Sequence, residues 1–269
     1  MAIHPTAIVS PESAIGEGVE IGPYSIIGPK VVIGDNTVVR PHVVIEGKTE
    51  IGKNCQIFQF ASIGAPPQDL KFKGEETKIL IGDNNIFREF VTIHSATSAD
   101  EGMTVIGSNN LLMAYCHVAH NCIVGNNIIM ANVATLGGHV QVGDYAIISG
   151  LSGVHQFTRI GCHAIVGGAS AVMRDVPPYC LAVGNHARLY GLNLVGLRRR
   201  NFDSETIRSL KQAYRTIFRS GLRLSEAVRR VRETAPDLPD VRTFLSFLEA
   251  SKRGFCRERG NKGENNETE

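Results

Sequence analysis

A chain of 269 residues that is 43% hydrophobic but only 6% aromatic, with no tryptophan, must build its core from aliphatic side chains. No apolar run reaches the length of a membrane span and the start lacks the layout of a signal peptide, so a cytoplasmic protein is expected, its six cysteines free thiols. The net charge of +2 conceals two regions of opposite sign: residues 1–197 carry 11 Lys/Arg against 15 Asp/Glu, and residues 198–259 carry 16 against 8. The basic region lacks interleaved aromatics, which argues against nucleic acid and leaves it for an acidic partner.

Large aliphatic residues recur every six positions from the beginning. Ile3, Val9, Ile15, Ile21, Ile27, Ile33, Val39, Ile45, Ile51, Ile57 and Ile63 share one phase, which resumes at Ile81, Phe87 and Ile93 and again from Ile106 to Val172. The residue two places earlier is small or β-branched, as at Ser25, Thr37, Cys55, Ala61, Cys116, Cys122 and Ala134. Alternate residues of a strand share a side. Each hexad therefore reads as a short strand with one small and one large side chain turned inward, followed by a turn. Glycine after many aliphatics (Gly16, Gly22, Gly28, Gly34, Gly52, Gly64) reads as relief of backbone strain at that turn. Three hexads per coil stack into a parallel β-helix, a triangular prism roughly 40 Å long by the inter-strand spacing.

Two insertions break the phase, a charged loop over residues 65–78 and a shorter one over 94–104. Loops on a rigid solenoid are favoured places for substrate contact. The hexads stop near DVPPYC, and the β-helix is assigned to residues 1–185. Beyond it the spacing predicts three helices: one from Ser204, with Ile207, Leu210, Tyr214, Ile217 and Phe218 in phase and a stop at Gly221, one from Ser225, and one after Pro239. A C-terminal α-helical domain is placed at 186–257, and the polar stretch 258–269 reads as a disordered tail. The fold class is mainly β: a hexapeptide-repeat solenoid followed by helices.

In such a prism, residues 18 apart occupy equivalent places on successive coils. Within CHVAHNC, residues 116–122, both cysteines take the small inward position and read as packing. His117 faces outward between Cys116 and Val118, and His120 and Asn121 fall at the following turn. His120, Gly138 and Gln156 make one column, with Asn121 and His139 beside it. Exposed imidazoles around an accessible glycine backbone suit acyl transfer. A histidine takes the proton of an attacking hydroxyl, and a glycine N–H steadies the oxyanion. Cysteine and histidine lie on opposite sides of the wall, so they do not share a metal; an all-histidine zinc site, as in a hydratase, is an alternative.

The hexads, the loop QDLKFKGE and the strings HVAHNCIVGNN, GGHV, GVHQF, VGGAS, DVPPY, GNHA and LNLVGLRRR resemble the acyl-carrier-protein-dependent UDP-N-acetylglucosamine O-acyltransferases, a branch of the hexapeptide-repeat acyltransferases. The resemblance runs from Ile3 to about Arg253. It implies a left-handed coil and transfer of a (3R)-3-hydroxyacyl chain from acyl carrier protein to the 3-position of UDP-N-acetylglucosamine, the first step of lipid A biosynthesis. It also implies a homotrimer with its sites between subunits, and neither cofactor nor metal. Under it His120 is the general base, Gly138 the oxyanion donor and Asn121 the partner of the base. Asp69, Lys71, His117, His139 and Gln156 hold the sugar nucleotide, Asn193 and Arg199 reach it from the neighbouring chain, and Gly168 and His186 line the acyl channel.

The sequence departs from that family at Asn121, where aspartate is usual, and at Val195, where a carboxylate is usual. An asparagine oxygen can accept from a ring N–H and set the tautomer, but it adds no charge. An acetyl-CoA-dependent acetyltransferase, an enzyme acting on a 3-amino sugar and a non-catalytic scaffold are the competing readings. The basic C-terminal region favours the acidic carrier protein.

Overall fold

The structure, a computed structural model, describes residues 2–258. The tail read at 258–269 lies, apart from Glu258, outside the described residues. Every hexad aliphatic from Ile3 to Val172 lies in a short strand, from β1 (Ala2–Ile3) to β26 (Ala171–Val172). Up to β23, each strand pairs in parallel with the strand three places on, so three sheets form the faces of a prism. Face 1 begins with β1, face 2 with β2 (Ile8–Val9) and face 3 with β3 (Ala14–Ile15). The 18-residue repeat appears directly as register: Ile129 pairs with Ile147, and His117 with Thr135.

The interior is a file of branched aliphatics. Ile63, Ile93, Val118 and Leu136 on face 2 are fully buried, each worth about 1.5–3 kcal/mol of apolar transfer. The small positions two places earlier are buried as well, Cys55, Cys116, Cys122 and Ala134 among them. Polar residues there keep their hydrogen bonds: Thr37 Oγ1 donates to the Gly52 carbonyl at 2.9 Å, and Asn85 Nδ2 donates to the carbonyls of Gly82 and Gly107 at 2.8 Å.

The glycines differ from expectation. Gly16, Gly22, Gly28, Gly34 and Gly52 are not in the left-handed region; of the six, only Gly64 is. A Cβ on Gly34 would lie 2.6 Å from the carbonyl carbon of Gly52, and one on Gly22 2.7 Å from the Pro41 nitrogen. Glycine stands there because successive coils touch backbone to backbone. The left-handed turn residue instead lies three places before most of the aliphatics, and its identity differs from edge to edge. Between faces 3 and 1 it is Asn36, Asn54, Asn84, Asn109 and Asn127, a residue that tolerates this conformation, then Tyr145 and His163. Between faces 1 and 2 it is Tyr24, His42, Phe60, Phe90 and Tyr115, stacked at 4.7–5.2 Å between ring centroids, then Val133 and Leu151. Strain of this kind amounts to about 1 kcal/mol or more per residue. It is offset by bonds between coils, such as Val133 N–H to the Ala114 carbonyl and His139 N–H to the His120 carbonyl, both 3.0 Å.

The edge between faces 2 and 3 carries both insertions. The loop 65–78 connects β11 (Ser62–Ala65) to β12 (Lys78–Ile81), and the loop 94–104 lies between β14 (Thr92–His94) and β15 (Met103–Ile106). The two are tied together by Thr77 Oγ1, which donates to the Ala96 carbonyl at 2.9 Å.

Past Val172 the chain adds β27 (Cys180–Val183) to face 1 and turns back in antiparallel β28 (Arg188–Leu192), neither of which the periodicity signalled. A short helix α1 (Leu194–Arg199), also unforeseen, leads to α2 (Ser204–Arg219), α3 (Leu224–Thr234) and α4 (Pro239–Glu249) at the three predicted places. Asp203 caps α2 by accepting from Thr206 N–H at 2.7 Å, and Gly221 leaves it with φ +75°. Leu210, Tyr214, Val228, Val231, Phe244 and Leu248 form the apolar centre of this region.

Candidate active site

His120, Asn121 and His139 stand at the edge between faces 2 and 3, next to the insertion 94–104. His120 Nδ1 lies 2.9 Å from Asn121 Oδ1. The insertion fixes which way that amide points. Asn121 Oδ1 accepts from the Thr97 N–H and hydroxyl, both at 2.9 Å, while its Nδ2 donates to the carbonyls of Thr97 at 3.2 Å and Ala99 at 2.8 Å. The atom facing His120 is therefore the oxygen, and His120 donates to it through Nδ1–H. In the neutral ring this leaves Nε2 as the free base. Asn121 N–H, which has no coil carbonyl below it because of the insertion, donates instead to Thr104 Oγ1 at 2.9 Å.

Gly138 lies one coil on, beneath the ring. A Cβ there would stand 2.5 Å from His120 Cε1 and 2.6 Å from Nε2. Gly138 is buried, and its N–H has no hydrogen-bond partner among the described residues. At the edge between faces 3 and 1 the equivalent N–H groups are taken by side chains of the next coil. Lys53 N–H donates to Asp83 Oδ1 and Asn126 N–H to Asp144 Oδ1, both at 2.7 Å. A free base and an uncommitted backbone donor thus meet at one point.

Around them, His117 Nδ1 is 2.7 Å from Thr92 Oγ1, and its ring meets His94 edge-on at 4.9 Å. Burial, with His94 and His120 adding to it, pushes the His117 pKa down to about 4, so the ring is neutral. His94 is itself buried, and burial lowers its pKa too. The sequence reading missed His94; it opens the insertion, where the six-residue phase that placed the others is lost. His139 Nδ1 lies 2.7 Å from Asp100 Oδ2, and its ring stacks on Phe157 at 4.4 Å. Gln156 is exposed at the same edge, one coil beyond Gly138. A groove of about 780 Å³, whose lining includes Met103, Ile123, His139 and Phe157, runs from the cluster onto face 3.

The cysteines are packing groups, as predicted. Cys116 and Cys122 are fully buried, their thiols donate to the carbonyls of Ala131 and Gly137 at 3.1 Å, and burial raises their pKa values to about 11 and about 12. Among the described residues no three His, Cys, Asp or Glu side chains gather into a set that could hold a metal ion.

The chain is 56% identical over 255 residues, 95% of its length and 99% of the relative's, to the acyl-[acyl-carrier-protein]–UDP-N-acetylglucosamine O-acyltransferase of Thermodesulfovibrio yellowstonii. It belongs to the UDP-N-acetylglucosamine O-acyltransferase family. The family model for domain 2 of UDP-N-acetylglucosamine O-acyltransferase matches residues 175–256, and the bacterial transferase hexapeptide model matches 12–47 and 103–132. LpxA of Acinetobacter baumannii superposes with a TM-score of 0.92 at 46% identity, covering 96% of this chain and 100% of that one. LpxA of Bacteroides fragilis, a UDP-N-acetylglucosamine acyltransferase, gives 0.92 at 43% identity, covering 94% and 99%. The prism is the left-handed parallel β-helix of this O-acyltransferase family.

The remaining residues that the resemblance singled out are dispersed in this acyltransferase chain. Asp69 and Lys71 lie in the insertion 65–78, where Lys71 N–H donates to Asp69 Oδ1 at 2.9 Å. Asn193 is buried as the cap of α1, its Oδ1 accepting from Gly196 N–H at 2.9 Å and its Nδ2 donating to the His163 carbonyl at 3.0 Å. Val195 and Arg199 are exposed on that helix. Gly168 and His186 are exposed at the edge between faces 1 and 2, and a Cβ on Gly168 would come no nearer than 3.5 Å to anything, the Gly150 oxygen. One chain brings together His117, His120, Asn121, Gly138 and His139; it leaves Asn193, Arg199, Gly168 and His186 elsewhere on the prism.

Proposed function

We propose that the chain transfers a (3R)-3-hydroxyacyl group from acyl carrier protein to the 3-position of UDP-N-acetylglucosamine, opening lipid A biosynthesis, with His120 as general base. The observation that carries the mechanism is the pairing of a free His120 Nε2 with the uncommitted N–H of Gly138. The acceptor hydroxyl gives its proton to Nε2 as its oxygen attacks the thioester carbonyl. The oxyanion that forms accepts from Gly138 N–H. Collapse breaks the C–S bond, and the imidazolium returns its proton to the departing carrier thiolate. His117, His139 and Gln156 face the space where the sugar would sit, with Asp69 and Lys71 reaching it from their loop.

The enzyme acts as a homotrimer in this reading. Gly168 and His186 stand at one edge and His120 at the next, separated by the whole of face 2, so a neighbouring copy must bring its own edge between faces 1 and 2 to the base. That edge carries an exposed apolar stripe of Tyr24, Phe60, Phe90, Tyr115, Val133 and Leu151, which a neighbour would cover. Asn193 and Arg199 of a neighbour then reach the nucleotide. The donor partner fits the charge. Arg198, Arg208, Lys211 and Arg215 line a groove of about 680 Å³ along α2, a landing place for an acidic carrier protein. In this reading the reaction takes place in the cytoplasm, and no helix of the described residues is long and apolar enough to cross a membrane.

Mass spectrometry of the product formed from a mixed acyl-carrier-protein pool, offered UDP-N-acetylglucosamine or its 3-amino analogue, tests this reading. The expected product is the 3-O-acyl sugar nucleotide. His120→Ala should reduce its formation on the order of 10²–10⁴-fold while leaving the assembly intact. Exclusive acylation of the amine, or a fully active variant, would refute the assignment.

A further inference from the structure

We propose that Asp100, a residue of the insertion 94–104, is a positioning residue that fixes which nitrogen His139 offers to the acceptor sugar; the proposal rests on the acyltransferase reading above. Asp100 Oδ2 lies 2.7 Å from His139 Nδ1. A carboxylate only accepts, so Nδ1 carries the proton, and Nε2 is the atom left for a ligand.

Nothing else around the ring makes that choice. Phe157 stacks on it with planes 16° apart, and His120 meets it edge-on at 89° and 5.2 Å. Those contacts set the plane of the ring, but a half-turn about the Cβ–Cγ bond preserves them while moving each nitrogen to the place of a ring carbon, Nδ1 to that of Cδ2 and Nε2 to that of Cε1. The hydrogen bond to Asp100 removes that freedom. It is the only contact between a histidine and a carboxylate among the described residues.

The same insertion also orients the base. Thr97 and Ala99 clamp Asn121, whose oxygen receives His120 Nδ1–H. The two imidazoles are thus held by one device, each with Nδ1–H committed to an oxygen and Nε2 free. Asp100 also places at this edge the negative charge that Asn121 does not supply. A polar group of the acceptor sugar, a hydroxyl or an amide, is the ligand that His139 would then meet at a fixed angle.

Steady-state kinetics on the full-length enzyme, varying UDP-N-acetylglucosamine at saturating acyl carrier protein, test this in a double-mutant cycle. Asp100→Ala should raise KM for the sugar nucleotide roughly tenfold, the scale of a lost hydrogen bond to a charged group, with kcat little changed. Asp100→Asn, whose oxygen can still accept from Nδ1–H, should recover most of that loss. With His139→Ala already in place, Asp100→Ala should add nothing. An unchanged KM in Asp100→Ala, or a loss that persists in full without His139, overturns the pairing. Asp100→Asn behaving like Asp100→Ala overturns orientation as the cause. Wild-type enzyme in the same assay reports on the parent reading, so an inactive wild type and an inert Asp100 are separate results.

Discussion

The imidazole of His120 occupies the space that a Cβ on Gly138 would need. The base rests directly on the backbone of the residue one coil beyond it, and the N–H of that residue has no partner among the described residues.

Gly138→Ala should therefore act on catalysis and not on folding. The atoms in the way belong to a side chain, so the ring shifts and the prism survives. A fall in kcat of roughly 10²-fold or more with little change in melting temperature is expected, the scale of a misplaced base or oxyanion donor. Gly34→Ala is the contrast. Its Cβ meets the Gly52 backbone, and stability should fall by about 1–3 kcal/mol, with a lower melting temperature, while the folded fraction keeps its activity. Equal effects of the two substitutions on kcat would contradict this division.

Asn121→Asp restores the residue usual in the family, yet it should be harmful here. The atom now donating to the Thr97 and Ala99 carbonyls becomes an acceptor, and two carbonyl oxygens are left facing a carboxylate. Loss of about 1–3 kcal/mol is expected, with the insertion 94–104 displaced and turnover reduced. Thermal melts and kcat measured together decide it; a variant as stable and active as the parent would show that the clamp is dispensable.

His117 gives a pH signature. Its pKa is about 4 in the folded protein against 6.5 for the free side chain, with burial the main cause. Between those values the unfolded chain binds the proton and the folded chain does not. The contribution is therefore fully present above pH 6.5 and is lost as pH falls toward about 4. Melting temperature should drop across that window less steeply in His117→Asn than in the wild type. Parallel curves would remove His117 from the acid response.

Charge in the groove along α2 should govern the donor. Replacing Arg208 or Lys211 by glutamate should raise KM for the acyl carrier protein substrate and leave that for the sugar nucleotide nearly unchanged. Added salt should weaken the wild-type donor interaction by screening. A donor KM indifferent to salt would place the carrier protein on another surface.

The interior of the prism was legible because Ile63, Ile93 and Val118 repeat a single requirement, a branched side chain turned inward, at each coil. His120, Gly138 and His139 could be placed together because that same period converts sequence distance into height. Residues free of the period escaped. Thr97 and Asp100, which orient the two histidines, and His94, which packs against His117, sit in an insertion where no spacing rule applies. The turn glycines were misread for a related reason. Gly34 looks like a residue chosen for its φ, and only the neighbouring coil at Gly52 reveals that it is chosen for closeness. β28 and α1 lay in a stretch with neither a two-residue nor a helical apolar rhythm.

The two insertions leave the prism through a one-residue register shift, Ile63 pairing with Ile93 but Ala65 with His94, and return to it in step: Ile51 pairs with Ile81, and Ile81 with Ile106, although uninterrupted coils bring together residues 18 apart, as at Ile129 and Ile147. Each insertion is in effect a cassette whose two ends are held by the ladder and whose length the ladder does not register. Loops of other lengths could be grafted at this edge while the buried file stays in step. Heat tolerance and substrate choice can thus drift through separate sets of substitutions in one small enzyme.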